Sequence, residues 1–490
     1  MQTDILKIRT AMVDVLDSWR ADAEPQDISD IYLPHAHIRA LQPSTMVVQG
    51  MRGAGKSFWV EALSNGSIRQ QMADQYPDLE LQKITSCASI KWDQRNASQL
   101  PHKATIGKWV EELGIAPSTI WGALLLGHTE IPPELNFPLP EKFDPWTARV
   151  LWAHENQERL FQALSWIDKD LASNGKQHLL LIDGLDRVAS GFGQSRRLLR
   201  GLFELMLEFR RNKGLRIKAF IREDMTTREV RDFSDASKLL NESCDLSWPA
   251  EDLYHLVFKY ISSRSTVFAD WRKSVVSPER FGNLFESNSQ AKSANEAQKI
   301  LEALCGKALR SDGKNRVYTW LFNHLADGRS RVSPRTMFAS FQSAAKESQE
   351  QFPDYQLHTI HPSAIHGGVR QASKERRTEL DEDYPWVELA LNPLKKRSVP
   401  IDWQVLPDYW RNRSHRTFDV ILEQAAKNGW FLPWDTDETK PLRRESELRD
   451  VLIEIGVLVL RSGEVERIDL PDIYRLAYDV GRRGGIRRRG

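Results

Sequence analysis

The chain has few cysteines and no long hydrophobic run. Only three of its 490 residues are cysteine, Cys87, Cys244 and Cys305, and they form no CxxC or Cys/His pattern. This argues against a disulfide framework and against a structural zinc site. No apolar run approaches the roughly 18 uncharged residues that a membrane span needs. The N-terminal segment mixes charges into an apolar period, which is typical of an amphipathic helix and not of a signal peptide. We therefore expect a cytoplasmic protein in a reducing compartment, with no membrane partner.

An excess of charge of one sign is also missing, because 68 basic residues nearly cancel 67 acidic ones and leave a net charge of +1. Any affinity for nucleic acid must then come from a local patch and not from the field of the whole chain. One such patch closes the sequence, GRRGGIRRRG, and contains Arg482, Arg483, Arg487, Arg488 and Arg489. A mobile basic arm can neutralise the phosphates of DNA or RNA. A solvated tail, or a segment docked on an acidic face of another subunit, explains the same residues.

Internal repeats of the kind that form solenoids are absent, and so are the paired-carboxylate and histidine-cluster motifs of nucleases. With 41% hydrophobic and 28% charged residues, the composition is that of a globular protein. A length of 490 residues predicts about three domains. We predict an N-terminal helix, an α/β domain with an insertion, a helical lid and a C-terminal module with a basic tail, at 1–24, 25–264 with the insertion at about 88–145, 265–350 and 351–490.

One glycine-rich segment carries a specific motif. The stretch GMRGAGKS matches G-x-x-x-x-G-K-[ST], and it stands between an apolar strand and a helix, which argues against a chance match. In such a turn, backbone N–H groups surround phosphate oxygens, the lysine reaches the β- and γ-phosphates, and the serine binds Mg²⁺. The predicted nucleotide-binding residues are Gly50, Gly53, Ala54, Gly55, Lys56, Ser57 and Phe58.

A buried strand that ends in a carboxylate follows in HLLLIDGLDR. Open α/β sheets bind ligands at the carboxyl ends of their strands, so Asp183 is predicted to hold Mg²⁺ together with Ser57. Asp186, in the turn that follows, is the candidate for orienting or deprotonating the attacking water. An N-cap or an ion pair with Arg187 explains this aspartate equally well. Its catalytic role is therefore a hypothesis.

Arg222 ends the strand RIKAFI at the same predicted edge of the sheet. A guanidinium placed there can contact the γ-phosphate or the water, and so report which nucleotide is bound. An ion pair with Glu223 or Asp224 is the alternative. We predict that Arg222, with Lys56 and Asp186, takes part in cleaving or sensing the γ-phosphate.

Three further arginines are weaker candidates. Arg335 stands at the start of a helix in SPRTMF, from which it could reach a nucleotide as part of a lid. Arg228 and Arg231 follow the strand that ends at Arg222 and could act as fingers into a neighbouring subunit. Arginines on helix surfaces are usually only solvated, which is the alternative for all three.

The order of elements predicts the fold class. Strands TMVVQG, QHLLLID, RIKAFI and CDLSW alternate with helices, which indicates a parallel α/β sheet of the P-loop NTPase kind with helices on both faces. A helical lid is predicted next. The C-terminal segment has the order helix, strand, Ser-Gly turn, strand and helix, so we expect an α+β module, either a winged helix or a small cap.

These motifs together resemble a known group of proteins. The order GMRGAGKS, LLLIDGLDR, a strand-ending Arg222, LSWPAEDLYHLVFKYI and SPRTMF is similar to the STAND and AAA+ side of the P-loop NTPases, and more narrowly to bacterial KAP-like ATPases. The similarity covers about residues 25–345. It implies ATP and Mg²⁺ as cofactors, a helical lid, a sensor arginine at Arg222, and assembly controlled by nucleotide. Members of this wider group often act in bacterial conflict with phages and plasmids.

One position departs from the family pattern. Many AAA+ proteins have an acidic residue directly after the Mg²⁺ aspartate, where this chain has Gly184. Hydrolysis must then depend on Asp186, or be slow, or be absent. Because one fold hosts many functions, the biological role follows from the resemblance by analogy only.

The leading functional prediction is an ATPase of the STAND/AAA+ kind. Its nucleotide state would control assembly as a homo-oligomer, or engagement of a protein partner or DNA, in antiviral defence. Two alternatives stay open. One is a nucleotide-locked scaffold with negligible turnover, and the other is a DNA-dependent loader or motor.

Overall fold

A computed structural model describes the chain as two compact units. The described residues are 2–20, 24–25, 27–92, 100–131, 145–188, 192–226, 236–276, 290–310, 313–412, 416–430, 432, 444–461, 463 and 465–482. The P-loop unit is Ala23–Ser247, and the discontinuous unit is Met1–Asp22 together with Trp248–Gly490. The chain begins with helix α1 (Gln2–Ser18) in the discontinuous unit. It therefore passes between the two units twice.

The P-loop unit alternates strands with helices. Its strands are β1 Val47–Gly50, β2 Ile84–Lys91, β3 Gln177–Asp183, β4 Leu215–Arg222 and β5 Cys244–Asp245. Its α-helices are α2 Ile38–Leu41, α3 Lys56–Ser64, α4 Gly66–Gln75, α5 Lys103–Glu111, α6 Pro117–Gly127, α7 Pro145–Glu155, α8 Gln157–Ser173, α9 Phe192–Glu208 and α10 Ala236–Leu240.

The five strands form one parallel sheet in the order β2-β3-β4-β1-β5. The run of leucine and isoleucine makes β3 buried from His178 to its end, as expected for a strand covered on both faces. The register pairs Gly50 with Arg222, and Lys91 with Asp183. The carboxyl ends of four strands therefore meet at one edge of the sheet.

Helices cover both faces of this sheet. The side chains of Leu180, Ile182 and Ile217 belong to the same buried core as those of α6 and α9. Helix α3 packs on β2, β3 and β4, and it lies on the face to which Asp183 points, since Ser57 of α3 contacts that side chain. The predicted α/β P-loop NTPase fold is confirmed.

Two elements of this unit differ from the sequence prediction. The insertion predicted at about 88–145 begins inside β2, which is the edge strand of the sheet. In β2 only Ile84 and Ile90 are buried, because an edge strand has one open side and needs few apolar residues. The helical segment before β3 consists of two helices, α7 and α8, which are separated at Asn156.

The discontinuous unit is mostly helical. Besides α1 its helices are α11 Ala250–Arg264, α12 Thr266–Val275, α13 Gln290–Cys305, α14 Val317–Leu325, α15 Pro334–Gln351, α16 Pro362–Asp383, α17 Trp386–Leu391, α18 Leu406–Arg411, α19 Thr417–Asn428, α20 Arg444–Glu454 and α21 Asp472–Arg475. Its strands are β6 Ser398–Val399, β7 Ile401–Asp402, β8 Val459–Arg461, β9 Arg467–Asp469 and β10 Gly481–Arg482. None of the helices that the structure describes could cross a membrane.

The N-terminal helix is an integral part of the discontinuous unit. Helix α1 packs on α11, α12 and α15, and Arg9 on its buried side is only 2% exposed. The Arg9 guanidinium donates to the carbonyls of Thr359 (2.8 Å) and Tyr355 (2.6 Å) in the loop after α15. Arg9 supplies the donor that these carbonyls need in the interior, and it thereby connects the N-terminal helix to the loop after α15.

The boundary between the units falls earlier than the α/β domain was expected to end. Helix α11 packs on α12, α13 and α15, and it therefore belongs to the discontinuous unit, although the sequence placed it within 25–264. The cause is its apolar side: Leu253, Val257 and Phe258 are buried in the core of this unit. The finer division into a lid at 265–350 and a module at 351–490 stays a prediction.

The C-terminal part of this unit combines helices with a small antiparallel sheet. Helix α17, strands β6 and β7, helices α18, α19 and α20, and strands β8 and β9 follow one another in the chain, and β7, β8 and β9 form an antiparallel sheet in the order β7-β9-β8. Leu448 and Leu452 of α20 and Ile468 of β9 are fully buried. The predicted order of helix, strand, strand and helix in this segment is confirmed, and Ser462 of the predicted turn lies outside the described residues.

Candidate nucleotide-binding site

The turn between β1 and α3 has the geometry that a phosphate cradle needs. Gly53 and Gly55 have φ angles of 77° and 96°, in the left-handed region that favours glycine. The N–H of Ala54 donates to the carbonyl of Met51 (3.2 Å), which closes the turn. Helix α3 begins at Lys56, so its positive end and its first N–H groups face the turn. Phe58 lies on the first turn of the helix, half-buried.

Lys56 is held against the turn that it follows. Its Nζ donates to the carbonyls of Gly50 (2.8 Å) and Met51 (2.9 Å). Burial, together with the positive charge of Arg222, lowers the pKa of Lys56 to about 8, although the charge of Asp183 opposes the shift. An anion placed against the turn would stabilise the charged amine, because the opposite charge favours the ionised form.

Ser57 and Asp183 meet across the sheet edge. The Ser57 hydroxyl donates to Asp183 Oδ2 at 2.7 Å, although the two residues lie far apart in the sequence. Burial raises the pKa of Asp183, and the hydrogen bond from Ser57 opposes that shift. A hydroxyl beside a buried carboxylate is a donor set that suits Mg²⁺, which binds oxygen ligands and keeps several waters. These two residues would hold the metal.

Gly184 has a structural reason to be glycine. Its φ angle is 75°, and a Cβ atom there would lie 3.0 Å from the Trp92 carbonyl oxygen and 3.2 Å from the Trp92 nitrogen. Trp92 directly follows β2, and its N–H donates to the Asp183 carbonyl. An acidic side chain at this position would therefore strain the backbone and displace the end of β2.

Asp186 is the acidic side chain that this turn offers instead. It lies in the 3-10 helix Leu185–Arg187, and Gly184 holds the N-cap position of that helix. The Asp186 side chain is exposed, and it is close enough to favour the charged form of Lys56. The chain therefore brings Asp186 to the site, while its role as a base stays a prediction.

Arg222 is at the predicted edge and has a partner. Its Nε donates to Asp224 Oδ1 at 3.0 Å, and Nη2 donates to Oδ2 at 2.6 Å. This two-pronged ion pair is the alternative that the sequence left open. The positive charge of Arg222 also lowers the pKa of Lys56, and Arg222 is the register partner of Gly50 in the sheet. Its guanidinium thus stands beside the cradle, and its sensor role stays a prediction.

The remaining predicted arginines fall in the discontinuous unit or outside the described residues. Arg335 belongs to the discontinuous unit, where its Nη1 donates to Glu379 at 2.7 Å. Arg482 lies in β10 and forms ion pairs with Asp469 and Asp472, so this position is a strand and not the start of a mobile arm. Arg228 and Arg231, and the tail residues Arg483, Arg487, Arg488 and Arg489, lie outside the described residues.

One ion pair near the site was not predicted from the sequence. Lys91 ends β2, is the register partner of Asp183, and donates to Glu61 of α3 at 2.5 Å. Glu61 follows Ser57 by one helical turn, so α3 is joined to the sheet edge twice, once through Ser57 and once through Glu61. In the sequence, this ion pair is indicated only by the lysine that ends the segment ITSCASIK. Its partner can be assigned only after β2 has been located.

Comparison with known proteins adds little to this geometry. No protein-family model matches the chain, and no curated protein matches its sequence. Among solved structures, the chain is similar to Cdc6p from Pyrobaculum aerophilum, with 12% identity over 91% of this chain and 93% of that one and a TM-score of 0.29. For the Aeropyrum pernix ORC2 protein in ADPNP–ADP complexes, the identity is 10%, the coverage 95% and 98%, and the TM-score 0.32.

A third similar structure is Drosophila ORC bound to DNA, with 12% identity over 94% of this chain and 91% of that one and a TM-score of 0.30. At these identities and TM-scores, the similarities support no conclusion about activity, ligand or partner. The assignment rests on the chain itself. Its sheet order, its glycine turn before α3 and the contact between Ser57 and Asp183 are those of a P-loop NTPase.

Proposed function

We propose that this protein binds ATP with Mg²⁺ at the turn between β1 and α3 and uses the nucleotide state to control assembly or partner binding. The contact between Ser57 Oγ and Asp183 Oδ2 at 2.7 Å carries the proposal. It joins the end of the glycine motif to the acidic end of β3, and the two ligands of Mg²⁺ come from these two elements. Lys56 supplies the charge for the β- and γ-phosphates.

Hydrolysis needs a group that acts on the attacking water. Gly184 removes the acidic side chain that many AAA+ proteins have at that position, and Asp186 is the nearest replacement. We propose slow turnover in which Asp186 orients the water and Arg222 contacts the γ-phosphate, after Arg222 exchanges its bond to Asp224 for one to the nucleotide.

The test is steady-state ATP turnover with binding measured in parallel by calorimetry. In Asp186→Asn, turnover should fall by about 100-fold or more, as for loss of a general base, while ATP affinity stays within about 3-fold. Asp170→Asn is the matched control, since Asp170 is an exposed aspartate of the same unit. Unchanged turnover in Asp186→Asn would remove Asp186 from the mechanism. Absence of ATP binding in the wild type would remove the proposal.

A second candidate function is a nucleotide-locked scaffold. Gly184 favours it, because its left-handed backbone and its proximity to Trp92 give this residue a role in packing that excludes an acidic base. In that case bound ATP would persist without turnover. Single-turnover chase of radiolabelled ATP separates the two functions, because a scaffold releases ATP unchanged and a slow ATPase releases ADP.

We propose that the C-terminal α+β module is a winged helix and that its partner is a protein rather than DNA. The exposed side chains of Glu447, Asp450 and Glu454 lie at helical spacing along α20. In a DNA-bound winged helix, the corresponding helix would approach phosphates, and acidic side chains repel them. A DNA-dependent loader is tested by adding duplex DNA to the turnover assay, and turnover that does not change would exclude it.

The biological setting is proposed from the residue pattern alone. The DGLDR segment and the strand end at Arg222 are similar to KAP-like ATPases, so we propose a homo-oligomeric regulator in bacterial antiviral defence, with any effector activity on a partner. Phage infection of cells with and without the gene, and with Lys56→Ala, tests this role. Equal phage sensitivity in the three strains would exclude it.

A further inference from the structure

His37 is a polar side chain in the interior of the P-loop unit, 0% exposed, and both of its ring nitrogens have partners. Trp59 Nε1 donates to His37 Nδ1 at 3.2 Å. His37 Nε2 lies 3.0 Å from the carbonyl oxygen of Ser247. An indole N–H can only donate, so Nδ1 is the acceptor, and the ring proton is on Nε2 and is donated to Ser247. The tautomer is thereby fixed.

The charge state of this histidine is fixed as well. Burial lowers the pKa of His37 to about 3, although the Ser247 carbonyl opposes the shift. A protonated ring would place an N–H at Nδ1 against the Trp59 N–H, donor against donor. His37 is therefore neutral at physiological pH and is not a pH switch. It is the centre of a hydrogen-bonded joint, which we define as Trp59, His37 and Ser247.

The joint connects three parts of the unit that have separate tasks. Trp59 is on the first turn of α3, two residues after Ser57. His37 ends the 3-10 helix His35–His37, in the segment by which the chain enters the P-loop unit. Ser247 is the last residue of this unit, before the chain returns to the discontinuous unit at Trp248.

The segments that contain His37 and Ser247 are each attached to the sheet by hydrogen bonds. Lys218 of β4 donates from Nζ to the carbonyls of Ala40 (2.7 Å) and Gln42 (2.9 Å), which attaches the segment after His37 to the sheet. The N–H of Leu246 donates to the Gln49 carbonyl at 2.8 Å, which attaches the segment before Ser247 to β1. A displacement of α3 is therefore passed on through packed and hydrogen-bonded groups rather than absorbed by a loose loop.

We infer that His37 is the positioning residue that transmits the state of the nucleotide site to the junction at Ser247. This rests on the proposed function, because the signal is the occupancy of the turn by nucleotide. Phosphate binding acts on the first turn of α3 through its N–H groups and Lys56. Trp59 belongs to that turn, so any shift of it changes the hydrogen bond to His37 and, through the ring, the bond to Ser247.

Hydrogen–deuterium exchange of the whole chain, with and without ATPγS and Mg²⁺, tests the inference at two places at once. Peptides over 50–60 report nucleotide binding, and peptides over 243–250 report the junction. In the wild type both should change, the junction by about 5-fold in rate, the equivalent of one net hydrogen bond. In His37→Phe, which keeps ring volume and loses both nitrogens, the first should change as in the wild type and the second by less than about 2-fold.

The controls separate the possible results. His35→Phe alters an exposed histidine of the same short helix and should respond as the wild type. If His37→Phe does not fold, Trp59→Phe removes the N–H donor together with part of the buried indole ring, and it should show the same loss at the junction. A junction response that survives in a folded variant, or a wild type that binds nucleotide with no change at 243–250, would overturn the inference. Absence of change at 50–60 in the wild type would instead overturn the proposed nucleotide site.

Discussion

The charged residues of the two units are used in different ways. In the P-loop unit, Lys56, Asp183 and Arg222 converge on one sheet edge, and each alters the pKa of another or lies within reach of the same cradle. In the discontinuous unit, Arg482 is bound by two aspartates, Asp469 and Asp472. The first group of charges lies around the proposed nucleotide site, where Arg222 is also paired with Asp224, whereas the second group is neutralised within its own unit.

This difference explains which predicted site residues could be trusted from the sequence. A motif such as GMRGAGKS fixes backbone geometry as well as residue type, so its function follows from a short segment. A basic residue in a helix or a tail has no such local geometry. Arg335 is paired with Glu379, and nothing in SPRTMF indicates that pair. Arginines without a backbone motif are therefore poor evidence for a site.

The largest expected effect is the loss of nucleotide binding in Lys56→Ala. The variant lacks the amine that the cradle holds beside the phosphates, so the Kd for Mg·ATP should rise by about 100-fold or more. Stability should change little. Isothermal titration measures the Kd, and Lys176→Ala, an exposed lysine of the same unit, is the control. If the variant bound Mg·ATP within about 3-fold of the wild type, Lys56 would not serve a nucleotide, and the contrast between the two units would fail.

The next effect concerns stability in the other unit. Asp469 is 1% exposed and accepts from Arg461 and Arg482. In Asp469→Asn these charge-assisted hydrogen bonds lose their anion, which should lower the free energy of unfolding by about 2 kcal/mol. The Kd for nucleotide should not change. Urea unfolding tests this, with Asp450→Asn on the exposed side of α20 as control, and equal stability of the two variants would contradict it.

Gly184 and Gly175 form a matched pair for the third prediction. Both have positive φ angles, 75° and 65°, but a Cβ at Gly184 meets the Trp92 backbone, while one at Gly175 meets nothing within 4 Å. Each substitution by alanine should cost about 1 kcal/mol for the backbone, and Gly184→Ala should cost about 1 kcal/mol more for the contact. Equal melting temperatures would mean that Gly184 is not held against Trp92.

The smallest effect is a pH dependence that His37 imposes. Because its pKa is lowered from 6.5 to about 3 in the folded chain, the unfolded chain binds a proton between these values that the folded chain does not. Stability must therefore fall as the pH falls below about 6.5. Between pH 6.5 and 5.5 the wild type should lose about 1 kcal/mol more than His37→Phe. Parallel slopes in urea unfolding at the two pH values would contradict the buried neutral ring.

The sequence predicts the interior of the sheet better than its edge. The run of leucine and isoleucine in β3 is visible because burial on both faces requires it, and the same holds for β4. Strand β2 has only Ile84 and Ile90 buried, and its serines and threonine resemble a loop. Because β2 was missed, the proximity of Trp92 to Gly184 and the pair of Lys91 with Glu61 could not be predicted.

Within the site, local motifs were sufficient for Lys56, Ser57 and Asp183. The joint at His37 could not be found this way, because its partners Trp59 and Ser247 lie in distant segments and no motif connects them. A buried histidine between an indole and a carbonyl is recognised only from three-dimensional contacts. Long-range hydrogen bonds between unlike segments are the part of this site that a single sequence does not contain.

The most direct test of the central claim is the Mg²⁺ dependence of ATP affinity in the wild type and in Asp183→Asn. The asparagine keeps the size of the side chain and an oxygen that can accept from Ser57, but it removes the negative charge that would hold the metal. In the wild type, Mg²⁺ should raise ATP affinity by about 10-fold or more, and in Asp183→Asn by less than about 2-fold. An equal effect of Mg²⁺ in both proteins would contradict a nucleotide site built on Ser57 and Asp183.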